Sequence, residues 1–227
     1  LKIGVGPSSS HTLGPWRAAS RWILSLKDRA VFDEIVGVSV QLYGSLSLTG
    51  KGHATDKAVM LGLMGTDPVS FPIENIQQEI DQITSENKLL LNSEKEITFI
   101  PSEHIKFNRK FLEFHPNGIT FTAHLKDGSK KSSTYYSIGG GFVVQKERKR
   151  AKKKIENFLS FPFPIEKGTE LLAYCVQENK SVSEIVFQNE LSLRSEKQIK
   201  DELKTIWNVM LESMYTGCHT EGILPGG

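Results

Sequence analysis

The stretch "VGVSVQLYGSLSLTGKGHATD", residues 36–56, joins two hydrophobic patterns through a glycine-rich loop. Four apolar residues alternate with small or polar ones from Val36 to Leu42, which predicts a half-buried strand. From residue 54, "ATDKAVMLGLMG" predicts a short apolar helix that ends at Gly65. The loop between them contains His53. Because loops at strand ends often carry reacting groups, and a neutral imidazole accepts protons near pH 7, His53 is a candidate general base. A surface histidine that caps a helix is the alternative.

A second polar loop lies upstream, in "GVGPSSSHTLGPW", residues 4–16. It leads into "PWRAASRWILSLK", where apolar residues recur at helical spacing and Pro15 suits the first helical position. The N-terminus of a helix carries partial positive charge and unpaired N–H groups, so it can bind a carboxylate or phosphate. The five polar residues from Ser8 to Thr12 indicate either such a site or an ordinary N-capping loop, and spacing leaves both open.

Downstream, an amphipathic helix is predicted over 73–88, followed by the strand-like runs "EITFIPS", "FLEFH" and "ITFTAHL". Asn117 and Gly118 signal a hairpin turn between the second and third runs, and Asp127 and Gly128 turn the chain into "SSTYYSIGGGFVV". Three glycines inside a strand admit a ligand, or else mark a bulge or tight packing. The sequence therefore predicts an α+β fold that begins with a mixed α/β domain containing an antiparallel sheet.

The character of the chain changes at "KERKRAKKK", residues 146–154, where seven of nine residues are basic. A nucleic-acid or targeting patch is conceivable, but a lone basic run is usually a solvated linker. Beyond it every pattern is helical, with capping-box pairs that begin at Ser181 and Ser195 and a C-terminal cap expected at Gly217. We expect an α/β domain over 1–145, a linker over 146–164 and the truncated start of a helical domain over 165–227. The first residue, Leu1, and the loop-like end "EGILPGG" indicate a piece of a longer polypeptide.

Composition excludes few functions. The net charge of +2 is too small to indicate binding to nucleic acid or to a membrane surface. A composition with 38% apolar and 24% charged residues is typical of a globular protein. With no long apolar run and no signal peptide, we expect a cytoplasmic protein. Cys175 and Cys218 form no CxxC motif, and Cys175 is expected in the core, so this chain alone is expected to hold no metal cluster. The isolated histidines of the strand-like runs are interpreted as structural or exposed; they are His104, His115 and His124.

Seven stretches distributed along nearly the whole chain together match a known protein family, in the order in which the family has them. The combination is far more specific than any one of the motifs. They are "GPSSSHTLGP" (6–15), "YGSLSLTGKGHATD" (43–56), "HPNGITF" (115–121), "YSIGGGF" (136–142), "ELLAYC" (170–175), "QNEL" (188–191) and "TEGILPG" (220–226). Together they resemble the bacterial iron–sulfur L-serine dehydratases, also called L-serine deaminases.

The resemblance implies that the α/β part is the β domain of this family, similar to a regulatory domain of some phosphoglycerate dehydrogenases. The helical part would open the catalytic α domain. It also implies a [4Fe–4S] cluster acting as Lewis acid, with its ligand cysteines beyond residue 227, L-serine as substrate and a homodimer as the assembly. Neither nucleic acid nor a membrane is an expected partner. The expected role is amino-acid degradation that feeds gluconeogenesis.

The resemblance also implies roles for residues in the two loops and in the helical part. His53 would be the base that removes the Cα proton of L-serine, at a site built between the two domains. The serine-rich loop would bind the substrate carboxylate or order the domain interface, and two residues of the helical part are weaker candidates for substrate contacts. The expected substrate-binding residues are Ser8, Ser9, Ser10, His11, Thr12, Asn189 and Glu221.

Two other functions compete with this interpretation. A pyridoxal-phosphate enzyme runs the same net reaction, but it needs a Schiff-base lysine, and no lysine stands out here. An amino-acid-binding regulatory module, with catalysis wholly outside this chain, also fits the dense polar loops.

Overall fold

The computed structural model describes residues 3–145 and 161–222. Contacts within the chain divide this part into two compact units, one containing residues 3–145 and the other residues 161–221. The basic run at 146–154 lies outside the described residues, so the predicted linker and domain limits stay predictions. No helix in the described ranges is long and apolar enough to cross a membrane.

The first unit is built on a five-stranded sheet with the spatial order β4-β1-β5-β6-β7, accompanied by a two-stranded sheet, β2-β3. Every pairing is antiparallel except that of β4 with β1, which is parallel. The predicted α+β class with an antiparallel sheet is therefore confirmed, with a parallel edge strand in addition. The strands are β1 (Ile35–Tyr43), β2 (Lys88–Leu91), β3 (Lys95–Thr98), β4 (Ile105–Asn108), β5 (Gly118–Leu125), β6 (Lys130–Gly139) and β7 (Phe142–Gln145).

Helices are the second ingredient of the fold. A π-helical turn at Ser9–Leu13 leads directly into α1, and α1 packs against α3 and β6. The helices are α1 (Gly14–Lys27), α2 (Ser45–Thr49), α3 (Thr55–Leu63), α4 (Ile76–Glu86), α5 (Pro101–His104), α6 (Gly168–Glu178), α7 (Val182–Leu191) and α8 (Glu196–His219). The last three form the second unit.

The two faces of the main sheet have opposite characters, as strand alternation requires. On one face, Val40 and Phe121 of neighbouring strands are fully buried, and Trp22 of α1 stacks on Phe121 with ring centroids 5.1 Å apart. On the other face, the hydroxyls of Thr120 and Thr134 lie 2.8 Å apart across β5 and β6. The core therefore lies between the sheet and the helices on one side of it, which brings α1 and α3 together.

One predicted strand and one predicted turn are wrong. The run "FLEFH" forms a loop, with Phe111 and Phe114 more than half exposed, and the strand in this region is β4, just before it. Asn117 and Gly118 therefore do not close a hairpin, because β1 lies between β4 and β5 in the sheet. The short strand β2 begins at Lys88, the last residue of the predicted helix, and extends over three residues for which the sequence predicted no element. The turn at Asp127 and Gly128 does join β5 to β6 as predicted.

The second unit consists of the three predicted helices. The capping boxes at Ser181 and Ser195 are present, each with its side chain accepting a backbone N–H. The predicted end at Gly217 is wrong, since α8 continues to His219. Cys175 is only half-buried, contrary to the core position expected for it.

Candidate active site

The serine-rich loop is shaped by its own hydroxyl groups. The Oγ of Ser8 accepts the backbone N–H of His11 at 3.1 Å, which caps the π-helical turn. The turn and its N-cap place the residues from Ser8 to His11 directly before α1. Ser9 is exposed, whereas Ser8 and Ser10 are half-buried. π-Helical turns are rare and are frequently found at functional sites.

His11 is held by a hydroxyl group at each ring nitrogen. Its Nδ1 lies 2.8 Å from the Oγ of Ser10, and its Nε2 lies 3.0 Å from the Oγ of Ser45, at the start of α2. A hydroxyl both donates and accepts, so this pair satisfies a neutral imidazole in either tautomer. Burial lowers the pKa of His11, the charge of the neighbouring His53 lowers it further, and a hydrogen bond with Ser45 opposes the shift. His11 is therefore an uncharged, fixed ring near neutral pH.

His53 lies beside His11, with ring centroids 5.0 Å apart and the planes inclined at 39°. Its Nδ1 lies 2.9 Å from the carbonyl oxygen of Thr49. Because a carbonyl oxygen only accepts, Nδ1 carries the proton, and in the neutral ring Nε2 has a free lone pair. The side chain is half-exposed. The predicted loop at 44–56 contains α2, and in the neutral ring of His53 the short segment between α2 and α3 presents one unprotonated imidazole nitrogen, as a general base requires.

The chain leaves His53 through an unusual backbone conformation. Ala54 adopts a left-handed conformation with φ of 52°, which a residue with a Cβ rarely occupies. Such strain persists only where the surrounding structure imposes it, and it concentrates at active sites. The conformation ends the glycine-rich loop and starts α3 at Thr55 within a single residue.

The expected substrate-binding residues of the first unit all lie in this region, but their side chains differ in burial and in hydrogen bonding. The hydroxyl of Thr12 is buried and donates to the carbonyl of His53 at 2.8 Å. Ser8 and Ser10 are engaged with His11, and Ser9 faces solvent. Ser9 is thus the one exposed residue among these five.

The two candidates in the second unit are placed differently. The side chain of Asn189 accepts the N–H of Phe163 at 2.9 Å and donates to the carbonyl of Phe163 at 2.7 Å, so both ends of its amide hold the segment before α6. Glu221 is exposed beyond the end of α8. Their substrate contacts stay predictions.

The glycines of "IGGGF" form the tight turn between β6 and β7. Gly139, Gly140 and Gly141 all have positive φ, and the register shifts beside them, which is the bulge that was one of the two sequence interpretations. A Cβ on Gly141 would lie 2.6 Å from a methyl carbon of Leu13, so the turn packs tightly against the end of the serine-rich loop.

Sequence reasoning missed two groups that shape the site. Ser45 holds the Nε2 of His11, and the hydroxyl of Thr55 donates to the carbonyl of His11 at 2.6 Å. Gly44 was the available signal for Ser45. Its φ is +54°, and a Cβ there would lie 2.4 Å from the carbonyl oxygen of Pro116, so only glycine turns the chain sharply enough to place Ser45.

The donor set does not fit an iron–sulfur cluster. A [4Fe–4S] cluster takes cysteine thiolates as ligands. The two cysteines lie in different helices, with Cys175 in α6 and Cys218 in α8, and the described part of the chain has no group of three or more His, Cys, Asp and Glu side chains placed to bind a metal ion. The location of the ligands beyond residue 227 stays a prediction.

The first unit, which contains both histidines, is similar to a known protein family. Residues 1–148 match the family described as serine dehydratase beta chain. The chain belongs to this family.

Named relatives point in the same direction. Over its whole length the chain is 40% identical to L-serine dehydratase 1 of Escherichia coli K12 and 39% identical to an L-serine dehydratase of Streptomyces coelicolor. It is 36% identical to an L-serine dehydratase of Haemophilus influenzae. In each case the chain spans about half, 50%, of the relative's length.

Proposed function

We propose that this chain supplies the proton-accepting part of an L-serine ammonia-lyase, with His53 as the general base. The observation that carries the proposal is the fixed orientation of the imidazole. Nδ1 donates to the carbonyl of Thr49, which leaves the lone pair of Nε2 on a half-exposed ring. Membership of the serine dehydratase beta chain family and the names of the relatives support the choice of reaction.

The chemistry assigned to His53 is removal of the Cα proton. The C–H electrons form the Cα–Cβ double bond as the β-hydroxyl leaves, and together with a proton the hydroxyl departs as water. The resulting enamine tautomerises to an imine, and a second water hydrolyses it to pyruvate and ammonia. The net reaction therefore converts L-serine to pyruvate and ammonia with one water released and one consumed.

His11 complements His53 in this scheme by staying neutral. Two positive rings with centroids 5.0 Å apart would repel each other, so a charged His11 would oppose transfer of a proton to the neighbouring ring. Burial and the two flanking hydroxyls, on Ser10 and Ser45, favour an uncharged His11. A neutral His11 therefore places no positive charge beside the ring that is proposed to accept the proton.

The serine-rich loop is proposed to bind the substrate carboxylate. The amides of Ser9 and Ser10 belong to the first turn of the helical segment, where N–H groups lack a preceding carbonyl at helical spacing. With the exposed residue Ser9 and the positive end of the helix dipole, they form a suitable site for an anion. Ser8, Ser10 and Thr12 would shape this site through His11 and His53.

The proposed enzyme retains the cofactor and setting implied by the family resemblance. Its [4Fe–4S] cluster would be held by cysteines outside the described residues, and no ligand is assigned from this chain. A cytoplasmic homodimer that degrades L-serine is part of the same proposal.

The test is pyruvate release from L-serine by the complete protein, prepared without oxygen and with its cluster reconstituted. We expect His53→Ala to lower kcat by about 10²–10⁴-fold with little change in KM, because the variant loses a general base but keeps the carboxylate site. Cluster absorbance should stay unchanged. His124→Gln is the matched control, because His124 lies on the polar face of the sheet, 3.0 Å from Ser39, and should leave kcat unchanged.

Near-normal turnover by His53→Ala would remove His53 from the role of base. A Ser9→Ala variant separates the lyase from the regulatory module considered above. A raised KM supports a substrate carboxylate in the loop, whereas altered cooperativity at an unchanged maximal rate supports regulatory binding of an amino acid.

A further inference from the structure

Two buried threonines join the histidine loops through reciprocal hydrogen bonds. The hydroxyl of Thr12 donates to the carbonyl of His53 at 2.8 Å, and that of Thr55 donates to the carbonyl of His11 at 2.6 Å. Thr12 directly follows His11 in the chain, and Thr55 comes two residues after His53. Each threonine is thus tied by the chain to one histidine and by a hydrogen bond to the backbone of the other.

Local sequence makes both carbonyls available for these bonds. In an α-helix the carbonyl of His11 would accept the N–H of residue 15, but that residue is Pro15 and has no N–H. The carbonyl of His53 lies before the left-handed Ala54 and α3, outside the helical hydrogen-bond ladder. Pro15 therefore gives the carbonyl of His11 no donor at the four-residue spacing of an α-helix, and the carbonyl of His53 lies outside α3, so both can accept from the threonine hydroxyls.

Both threonines are too deeply buried to contact a substrate from solvent. Thr12 is 4% exposed and Thr55 is 0% exposed. The methyl group of Thr12 also fills the space beside Gly6, where a Cβ would lie only 2.3 Å from it. A buried hydroxyl that loses its acceptor costs free energy, so each bond resists separation of the loops.

We propose that Thr12 and Thr55 are positioning residues, a threonine clasp that holds the two histidine rings at their contact distance. The inference rests on the proposed function for its effect on turnover, but the clasp itself stands on the two hydrogen bonds. It gives Thr12 a role in holding His53, in place of the direct substrate contact expected from sequence.

The experiment compares Thr12→Val and Thr55→Val with Thr12→Ser and Thr55→Ser. Valine keeps the shape and loses the hydroxyl, whereas serine keeps the hydroxyl and loses the methyl group. The first readout is steady-state turnover of L-serine. Each valine variant should lower kcat by about ten- to a hundredfold with KM within twofold, because a small displacement of a reacting group is costly, and each serine variant should retain most of it.

The second readout needs no activity. Diethyl pyrocarbonate modifies an unprotonated imidazole nitrogen, and peptide mass spectrometry of the complete protein gives the rate at His53, with His124 as internal reference. We expect the valine variants to raise the rate at His53 several-fold because the loop is released, and the serine variants to keep the wild-type rate.

The outcomes separate the clasp from the function. Unchanged labelling and unchanged kcat in the valine variants would overturn the clasp, as would serine variants that behave like the valine ones. If the wild-type protein does not convert L-serine, but the valine variants are still labelled faster at His53 than the serine variants, the proposed lyase function is refuted and the clasp is retained. If Thr55→Val fails to fold by circular dichroism, Thr12→Val and Thr12→Ser decide the question.

Discussion

Gly62→Ala perturbs the contact that brings the two histidine loops together. Gly62 lies in α3 against α1, and an added Cβ would lie 2.3 Å from the carbonyl oxygen of Trp16 and 2.8 Å from the Cβ of Ala19. The first of these atoms belongs to the backbone of a helix, so it cannot rotate away. The helices must separate by about 0.7 Å merely to reach 3.0 Å, a separation below which Cβ contacts essentially never occur.

The cost of this separation can be estimated from two opposing effects. Overpacking a buried contact destabilises a protein by about 1–3 kcal/mol. Alanine is better than glycine inside a helix by about 0.5–1 kcal/mol, which offsets part of that cost. We therefore expect Gly62→Ala to lower the free energy of unfolding by about 1–2 kcal/mol, and the midpoint of thermal unfolding by about 3–8 °C.

Equilibrium unfolding in urea, followed by tryptophan fluorescence, measures this change. Trp16 and Trp22 are almost wholly buried in the first unit, so their emission reports its unfolding. Gly37→Ala is the control in the same unit, because a Cβ on Gly37 meets nothing within 4 Å, and its stability should not fall. A Gly62→Ala protein as stable as the wild type would refute the close approach of α1 and α3.

Three further predictions follow from single contacts. Gly44→Ala should destabilise the first unit by about 1–3 kcal/mol in urea, because its φ is +54° and its Cβ would meet the carbonyl of Pro116. Because folding lowers the pKa of His11, the unfolded chain binds a proton at this residue at a higher pH than the folded chain does. The free energy of unfolding should therefore fall as the pH drops below about 6.5 and through the pKa of the folded state. The fall should be less steep in His11→Gln, and urea unfolding over a range of pH measures it. Asn189→Ala should destabilise the second unit by about 1–2 kcal/mol through its lost bonds to Phe163; a raised KM at unchanged stability would instead indicate a substrate contact.

Much of the fold is readable from periodicity because burial acts on every second or every third to fourth residue. The apolar spacing identifies α1 to within one residue, and the alternation identifies the start of β1 to within one residue, although the strand-like run "VGVSVQLYGSL" (36–46) continues three residues past the end of β1 at Tyr43. The loop "FLEFH" was misread because its exposed aromatic residues, Phe111 and Phe114, imitate the alternation of a strand. Pairing is a long-range property, so the insertion of β1 between β4 and β5 has no local signature.

The sequence by itself determined the two polar loops, their glycines and the choice of His53, since these depend on residue type and on position relative to predicted elements. Only the tertiary structure decided what the loops do together. It placed His11 5.0 Å from His53, joined Ser45 to His11 across 34 residues of chain, and buried Thr12 against the carbonyl of His53. The physical reason is that a tautomer, a lowered pKa and a hydrogen-bond partner all depend on neighbours in space, and α1 and α3 become neighbours only when their buried faces pack against each other in the folded unit.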